Sequence, residues 1–250
     1  MTATQLDRRG DVAVLTLGRG KVNAIDEATV DELRERVPDL ERDPDTRAVV
    51  LTGRGTFFSF GFDVPALYDY PPDDFKGFLT KFSRLLRALY AFPKPLVAAV
   101  NGHAVAGGFM LATTADHRIM ASGKAKISLN EITFGAALFA GSIEMLRAVV
   151  GDRRAETLAL GGAMYSATDA LGMGLVDEVA APEAVGPRAL EVATQMAARD
   201  QAAYTAIKRL LRAPVLERID RAEQTSIERF VEIWYSPDTR KRLKAILIRP

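Results

Sequence analysis

Cysteine is absent from the chain, tryptophan occurs once and histidine twice. Without cysteine there is no disulfide framework, no thiolate nucleophile and no cysteine-ligated metal site. The two histidines, His103 and His117, lack the spacing of a ligand pair, so no metal is expected. An excess of charge is missing too. Lys plus Arg total 33 against 32 for Asp plus Glu, which leaves no broad field to draw in nucleic acid or an anionic membrane. No stretch approaches the ~20 uninterrupted apolar residues of a membrane span, and the first residues carry no apolar signal-peptide core. A cytoplasmic protein with neither nucleic-acid nor membrane partners is the expectation.

What is present is an ordinary globular composition, 48% hydrophobic and 26% charged over 250 residues. Short β-branched runs alternate with helical periodicity: strand over Val12–Leu17, helix over Asp26–Leu40, strand over Arg47–Thr52, helix over Phe75–Tyr90, strand over Leu96–Val100. That alternation predicts an α/β fold. Helix is expected over Phe109–Ala115, strands over Arg118–Ala121 and Lys126–Leu129, helices over Ile143–Val150 and Arg153–Leu160, and a last strand over Leu175–Val179. From Pro182 the pattern is helical only, over Ala184–Arg212, Leu216–Tyr235 and Pro237 to about Ile248. Residues 1–181 are therefore expected to form the core and 182–250 a helical oligomerisation region. Ile227, Phe230, Val231 and Trp234 exceed what one thin helical layer covers alone, which points to a partner subunit.

Two loops carry the chemical interest. Asn101–Gly108 joins a strand to a helix and ends in Gly107-Gly108. Glycine there either lets a ligand approach free main-chain N–H groups or merely allows close helix–sheet packing. Gly53–Val64 contains four phenylalanines, which either fold inward as core or form a flap that offers the Phe62 N–H to an apolar ligand.

Lys21–Asp26, Phe58–Asp63 and Asn101–Gly108, in that order, together with Tyr165–Asp177, resemble the crotonase (enoyl-CoA hydratase/isomerase) superfamily. The resemblance implies a spiral of repeated ββα units with a C-terminal helical trimerisation region. It also implies a homotrimer or dimer of trimers, an acyl-CoA thioester substrate, and no cofactor other than the coenzyme A of that substrate. The backbone N–H groups of Phe62 and Gly107 would form an oxyanion hole. Val22, Ala24, Phe60, Gly61, Phe62, Asp63, Val64 and Asn130 would contact the substrate.

The hydratases of the family use two glutamates. Three residues after the second oxyanion glycine, where the first of them stands, this chain has Met110. The second is kept as Glu131, within Leu129-Asn130-Glu131, which is similar to the Δ3,Δ2-enoyl-CoA isomerase branch. Moving a double bond from C3–C4 to C2–C3 needs one base that takes a proton from C2 and returns it at C4. Apolar neighbours such as Met110, Phe134 and Phe139 would raise the Glu131 pKa by desolvation. The expected activity is this isomerisation. Hydration, thioester hydrolysis and silent acyl-CoA binding are the alternatives, and acyl-chain length is left to the packing of Tyr68, Tyr70, Phe78 and Phe82.

Overall fold

The computed structural model describes residues 2–247. Ten strands and ten α-helices lie among them. The strands are β1 (Thr4–Arg9), β2 (Val12–Leu17), β3 (Ala48–Gly53), β4 (Phe57–Ser59), β5 (Leu96–Val100), β6 (His103–Val105), β7 (His117–Ala121), β8 (Lys126–Ser128), β9 (Tyr165–Ser166) and β10 (Glu178–Ala180). The helices are α1 (Glu27–Arg42), α2 (Val64–Tyr68), α3 (Pro72–Ala91), α4 (Gly107–Thr113), α5 (Ala140–Val150), α6 (Asp152–Gly161), α7 (Ala167–Met173), α8 (Val185–Ala197), α9 (Gln201–Trp234) and α10 (Pro237–Leu247).

The larger sheet runs β1-β2-β3-β5-β7-β10, parallel except for the β1–β2 hairpin. The smaller runs β4-β6-β8-β9, with only β9 antiparallel. Each of β3, β5 and β7 is followed at once by a short strand in the second sheet and then by helix, so the chain winds as a spiral of ββα turns. β5 is buried at every position, as a parallel strand covered on both faces must be.

β1, β4, β6 and β9 are additions to the sequence reading; the three shortest carry too few residues for a period-2 signal. α4 starts two residues earlier than expected, at Gly107, and the strand expected at Leu175 begins only at Glu178. The C-terminal boundary also moves. One 34-residue helix, α9, passes through Pro214, and the break lies at Asp200, which caps α9 by accepting the Ala203 N–H. The expected end of the last helix, Ile248, lies outside the described residues.

α8 packs against β2, β3, β5 and β7, and α9 against α3 and α5. The aromatic face of α9 is consequently buried within the same chain. Trp234 stacks on Phe75 at 4.6 Å, Phe230 lies 6.1 Å from Phe75, and both are 1% exposed. This corrects the expectation that Ile227, Phe230 and Trp234 await a partner: all three are buried within the chain, and the α3 ring that stacks on the aromatic pair, Phe75, is hidden by sequence distance. The most exposed large apolar side chains sit elsewhere, at Ile207, Leu210 and Leu211 on the first half of α9 and at Leu160 on α6.

Candidate functional site

The loop before α1 and the loop after β4 are stitched together. Phe60 N–H donates to Val22 O at 3.0 Å, Ile25 N–H to Gly61 O at 2.8 Å, and Asp63 N–H to Ile25 O at 2.9 Å. Asn23, with φ 51°, sends its amide nitrogen to Arg54 O and Phe57 O. These bonds set Val22 and Ala24 beside the 60–63 segment. Asp63 then caps α2 by accepting from Ala66 N–H at 3.2 Å. Phe62 is bracketed by the pairing of its two neighbours with Ile25, and its own N–H has no hydrogen-bond partner among the described residues.

The second loop arrives from β6. Ala106 has φ 51° and ψ −121°, a conformation costly for a residue with a Cβ, and its N–H is held by Ser128 O at 2.9 Å. Gly107, the first residue of α4, likewise has an N–H without a partner among the described residues. A Cβ on Gly61 would stand 3.2 Å from Gly107 N, so the two loops touch and their free amides belong to one place. Gly108 settles between the open readings of the glycine pair: a Cβ there would meet Ser59 O at 2.3 Å, so this residue is required for packing, while Gly107 carries the free amide.

Glu131 opens a 3-10 turn, Glu131–Phe134, directly after β8. It is 4% exposed and its Oε2 has no partner. Burial without a cation pushes its carboxyl up to about 8, with a hydrogen bond to its own backbone opposing only in part. An exposed carboxylate would do nothing of the kind.

These parts share a cavity of about 430 Å³. On its wall are Val22, Ala24, Phe60, Gly61, Phe62, Asp63 and Val64, with Asn130 and Glu131. Every substrate-contact residue expected from the sequence is thus brought to one place; Gly107 is not itself on this wall, but its neighbour Ala106 is, and a Cβ on Gly107 would stand 3.2 Å from the Phe62 ring. Of the apolar residues expected to desolvate Glu131, Phe134 is on the cavity wall, while Met110 and Phe139 are packed in the core at 1% and 0% exposure. Phe78 and Phe82 are fully buried behind the Phe62 ring at 5.1 and 5.0 Å, so they support the wall rather than forming it.

Sequence reasoning missed Pro65, Phe230 and Trp234 as wall residues. Arg19 is engaged by Asp26 at 2.8 Å. The aromatic pair was visible at helical spacing and was assigned to a subunit interface instead. A second cavity of about 570 Å³ between α3 and α9 is larger, but its walls carry ion-paired surface groups such as Arg87–Asp220, and neither free amide nor Glu131 borders it. Among the described residues no group of three or more potential ligands could hold a metal.

A mostly apolar cavity with a desolvated carboxyl, beside two main-chain N–H groups free of partners among the described residues, has parts that can stabilise a developing oxyanion and move a proton. The family model described as enoyl-CoA hydratase/isomerase matches residues 7–246, and the chain belongs to this crotonase-type family. A Thermus thermophilus protein called a putative enoyl-CoA hydratase is 35% identical over 210 residues, 82% of each chain. The short-chain-enoyl-CoA hydratase of Clostridium acetobutylicum is 30% identical over 244 residues, 97% of this chain and 93% of that one. The crystal structure of human mitochondrial delta3-delta2-enoyl-CoA isomerase superposes with a TM-score of 0.92 at 29% identity, covering 98% of this chain and 96% of that chain.

Proposed function

We propose that the protein shifts the double bond of a 3-enoyl-CoA to the conjugated 2-enoyl-CoA with Glu131 as its single base. The observation that carries this reading is the carboxylate count at the cavity: Glu131 is buried with its Oε2 unpartnered, Asp63 is tied to the α2 cap, and Met110 stands in the core.

The Glu131 carboxylate takes a proton from C2, which is acidified by the thioester carbonyl and the adjacent double bond. The electrons move onto the carbonyl oxygen, where the N–H groups of Phe62 and Gly107 receive them; one such donor is worth roughly 3–4 kcal/mol in a well-ordered site. The Glu131 carboxylic acid then returns the proton at C4 and is restored as carboxylate. No atom is gained or lost and no electron leaves, so the reaction calls for no cofactor or metal beyond the coenzyme A carried by the substrate.

The exposed stripe Ile207, Leu210 and Leu211 supports assembly into a homotrimer or dimer of trimers. The cytoplasmic setting is part of the same reading. Hydration of 2-enoyl-CoA is the second reading, favoured by the names of the 30–35% identical relatives.

Turnover of 3-enoyl- and 2-enoyl-CoA in heavy-oxygen water separates the two. Isomerisation converts the first substrate without oxygen incorporation and is lost in Glu131→Gln. Faster water addition to the 2-enoyl substrate than double-bond migration in the 3-enoyl one would overturn the proposal.

A further inference from the structure

Six buried side-chain nitrogen or oxygen atoms lack a hydrogen-bond partner among the described residues. Three of them, Asn130 Oδ1, Glu131 Oε2 and Trp234 Nε1, belong to residues on the wall of the same cavity. Leaving a buried polar group unpaired costs about 1–3 kcal/mol, so a cluster of them around one space marks where a ligand supplies the missing partners. Glu131 is used by the double-bond shift and Asn130 lies beside it. Nothing in that chemistry uses an indole N–H.

Trp234 is 1% exposed and is held by Phe75 at 4.6 Å and Phe230 at 6.0 Å, so its ring is fixed among aromatic neighbours. Phenylalanine would meet the same packing demand without burying a polar atom. An indole N–H donates only, so its partner must be an acceptor. A charged acceptor fits poorly. The described wall carries two carboxyl groups, Asp63 and Glu131, and its one cation, Arg19, is engaged by Asp26.

We infer that Trp234 is a specificity-determining residue whose indole N–H binds a neutral oxygen, as carbonyl, hydroxyl or ether, borne by the acyl group beyond the carbons that react. The inference rests on the acyl-CoA reading of this cavity and adds to it a class of substrate, the oxygen-bearing acyl-CoAs.

The test is a binding series, independent of turnover. Saturated acyl-CoAs of one length, each with a single methylene beyond C4 replaced by an ether oxygen or carbonyl, are titrated into wild type and Trp234→Phe. In wild type one position should bind about tenfold more tightly than the all-methylene parent. Trp234→Phe should erase that preference, so that the oxygen-bearing and all-methylene ligands bind within about twofold of each other. Trp234 is the only tryptophan in the chain, so resonance Raman of the indole N–H in wild type reads the hydrogen bond directly, even where the variant fails to fold. The preferred ligand should shift that band and the parent should not.

No preferred position, a preference that survives Trp234→Phe, an unshifted band, or tighter binding of a terminal carboxylate would each overturn the inference. Parent binding without oxygen preference leaves the acyl-CoA reading standing; oxygen preference without double-bond migration sinks the isomerase reading alone. Failure of every acyl-CoA to bind sinks both.

Discussion

Gly61 and Ala106 approach so closely that a Cβ on the glycine would stand 2.9 Å from the alanine's own Cβ. This contact is where the two amide-bearing loops meet, and it sets the Phe62 N–H beside the Gly107 N–H. Gly61 also has φ 89°, a conformation that a residue with a Cβ adopts only under strain. Gly61→Ala should therefore spread the loops and lower kcat by about 10²-fold or more, the scale of losing one oxyanion donor. Gly77→Ala is the control: no atom lies within 4 Å of its Cβ position in the exposed interior of α3, and it should raise stability by about 0.5–1 kcal/mol with unchanged kcat. Equal kcat for Gly61→Ala and wild type would show that the contact does not hold the amides.

The raised Glu131 carboxyl fixes the expected pH dependence. The base is active only when ionised, so kcat/KM for a 3-enoyl-CoA should climb about tenfold per pH unit and level off near pH 8, where the free enzyme's Glu131 titrates. A plateau already reached at pH 5–6 would mean that the carboxyl is not desolvated as its surroundings imply.

The same burial appears in stability with a definite sign. Between 4.5 and about 8 the folded protein retains the Glu131 proton that the unfolded chain has already released. The unfolded state binds fewer protons over that window, so this group lowers stability as pH rises through it. Glu131→Gln removes the penalty. Its Tm should exceed that of wild type by several degrees at pH 8.5, and the gap should close towards pH 5. A constant gap across the range would assign the effect to packing.

Much of this was legible in the chain. β5 and the α1 cap at Asp26 follow from local pattern, and motif order brought the residues from Val22 to Asn130 to one cavity. What stayed hidden was set by distant partners. Phe230 and Trp234 have an apolar periodicity that says only that they are covered; that Phe75 covers them, more than 150 positions earlier, is a property of topology. Pro214 does not break the helix because α9 is docked on both sides of the missing hydrogen bond, by the buried Lys208 before it and by Val215 and Ile219 after it. The Phe62 amide was named by the flap reading and the family resemblance, but what leaves it free, the pairing of its two neighbours with Ile25, is invisible in local sequence.

Asp116 anchors α9 to the core, and its removal gives the clearest test of how the C-terminal helix is held. It pairs with Lys208 Nζ and Arg212 Nη2, each at 2.6 Å, with all three side chains nearly buried, and it also accepts the Leu96 N–H at 2.8 Å. Burial already pushes Lys208 down to about 8, against the pull of Asp116. Asp116→Ala would leave two cations out of water without their counter-ion, which should cost about 3–5 kcal/mol in urea denaturation. Lys208 then loses the attraction that sustains its charge, so in the variant it sheds its proton at lower pH while the unfolded chain still holds one. Over that window the unfolded state binds more protons, stability rises with pH, and the deficit of Asp116→Ala should narrow between pH 6 and pH 9. In a Lys208→Met background the amine is gone and the narrowing should vanish, leaving only the cost of the stranded Arg212. A deficit that ignores pH in both backgrounds would mean that Lys208 is hydrated, and that α9 is held by its apolar face alone.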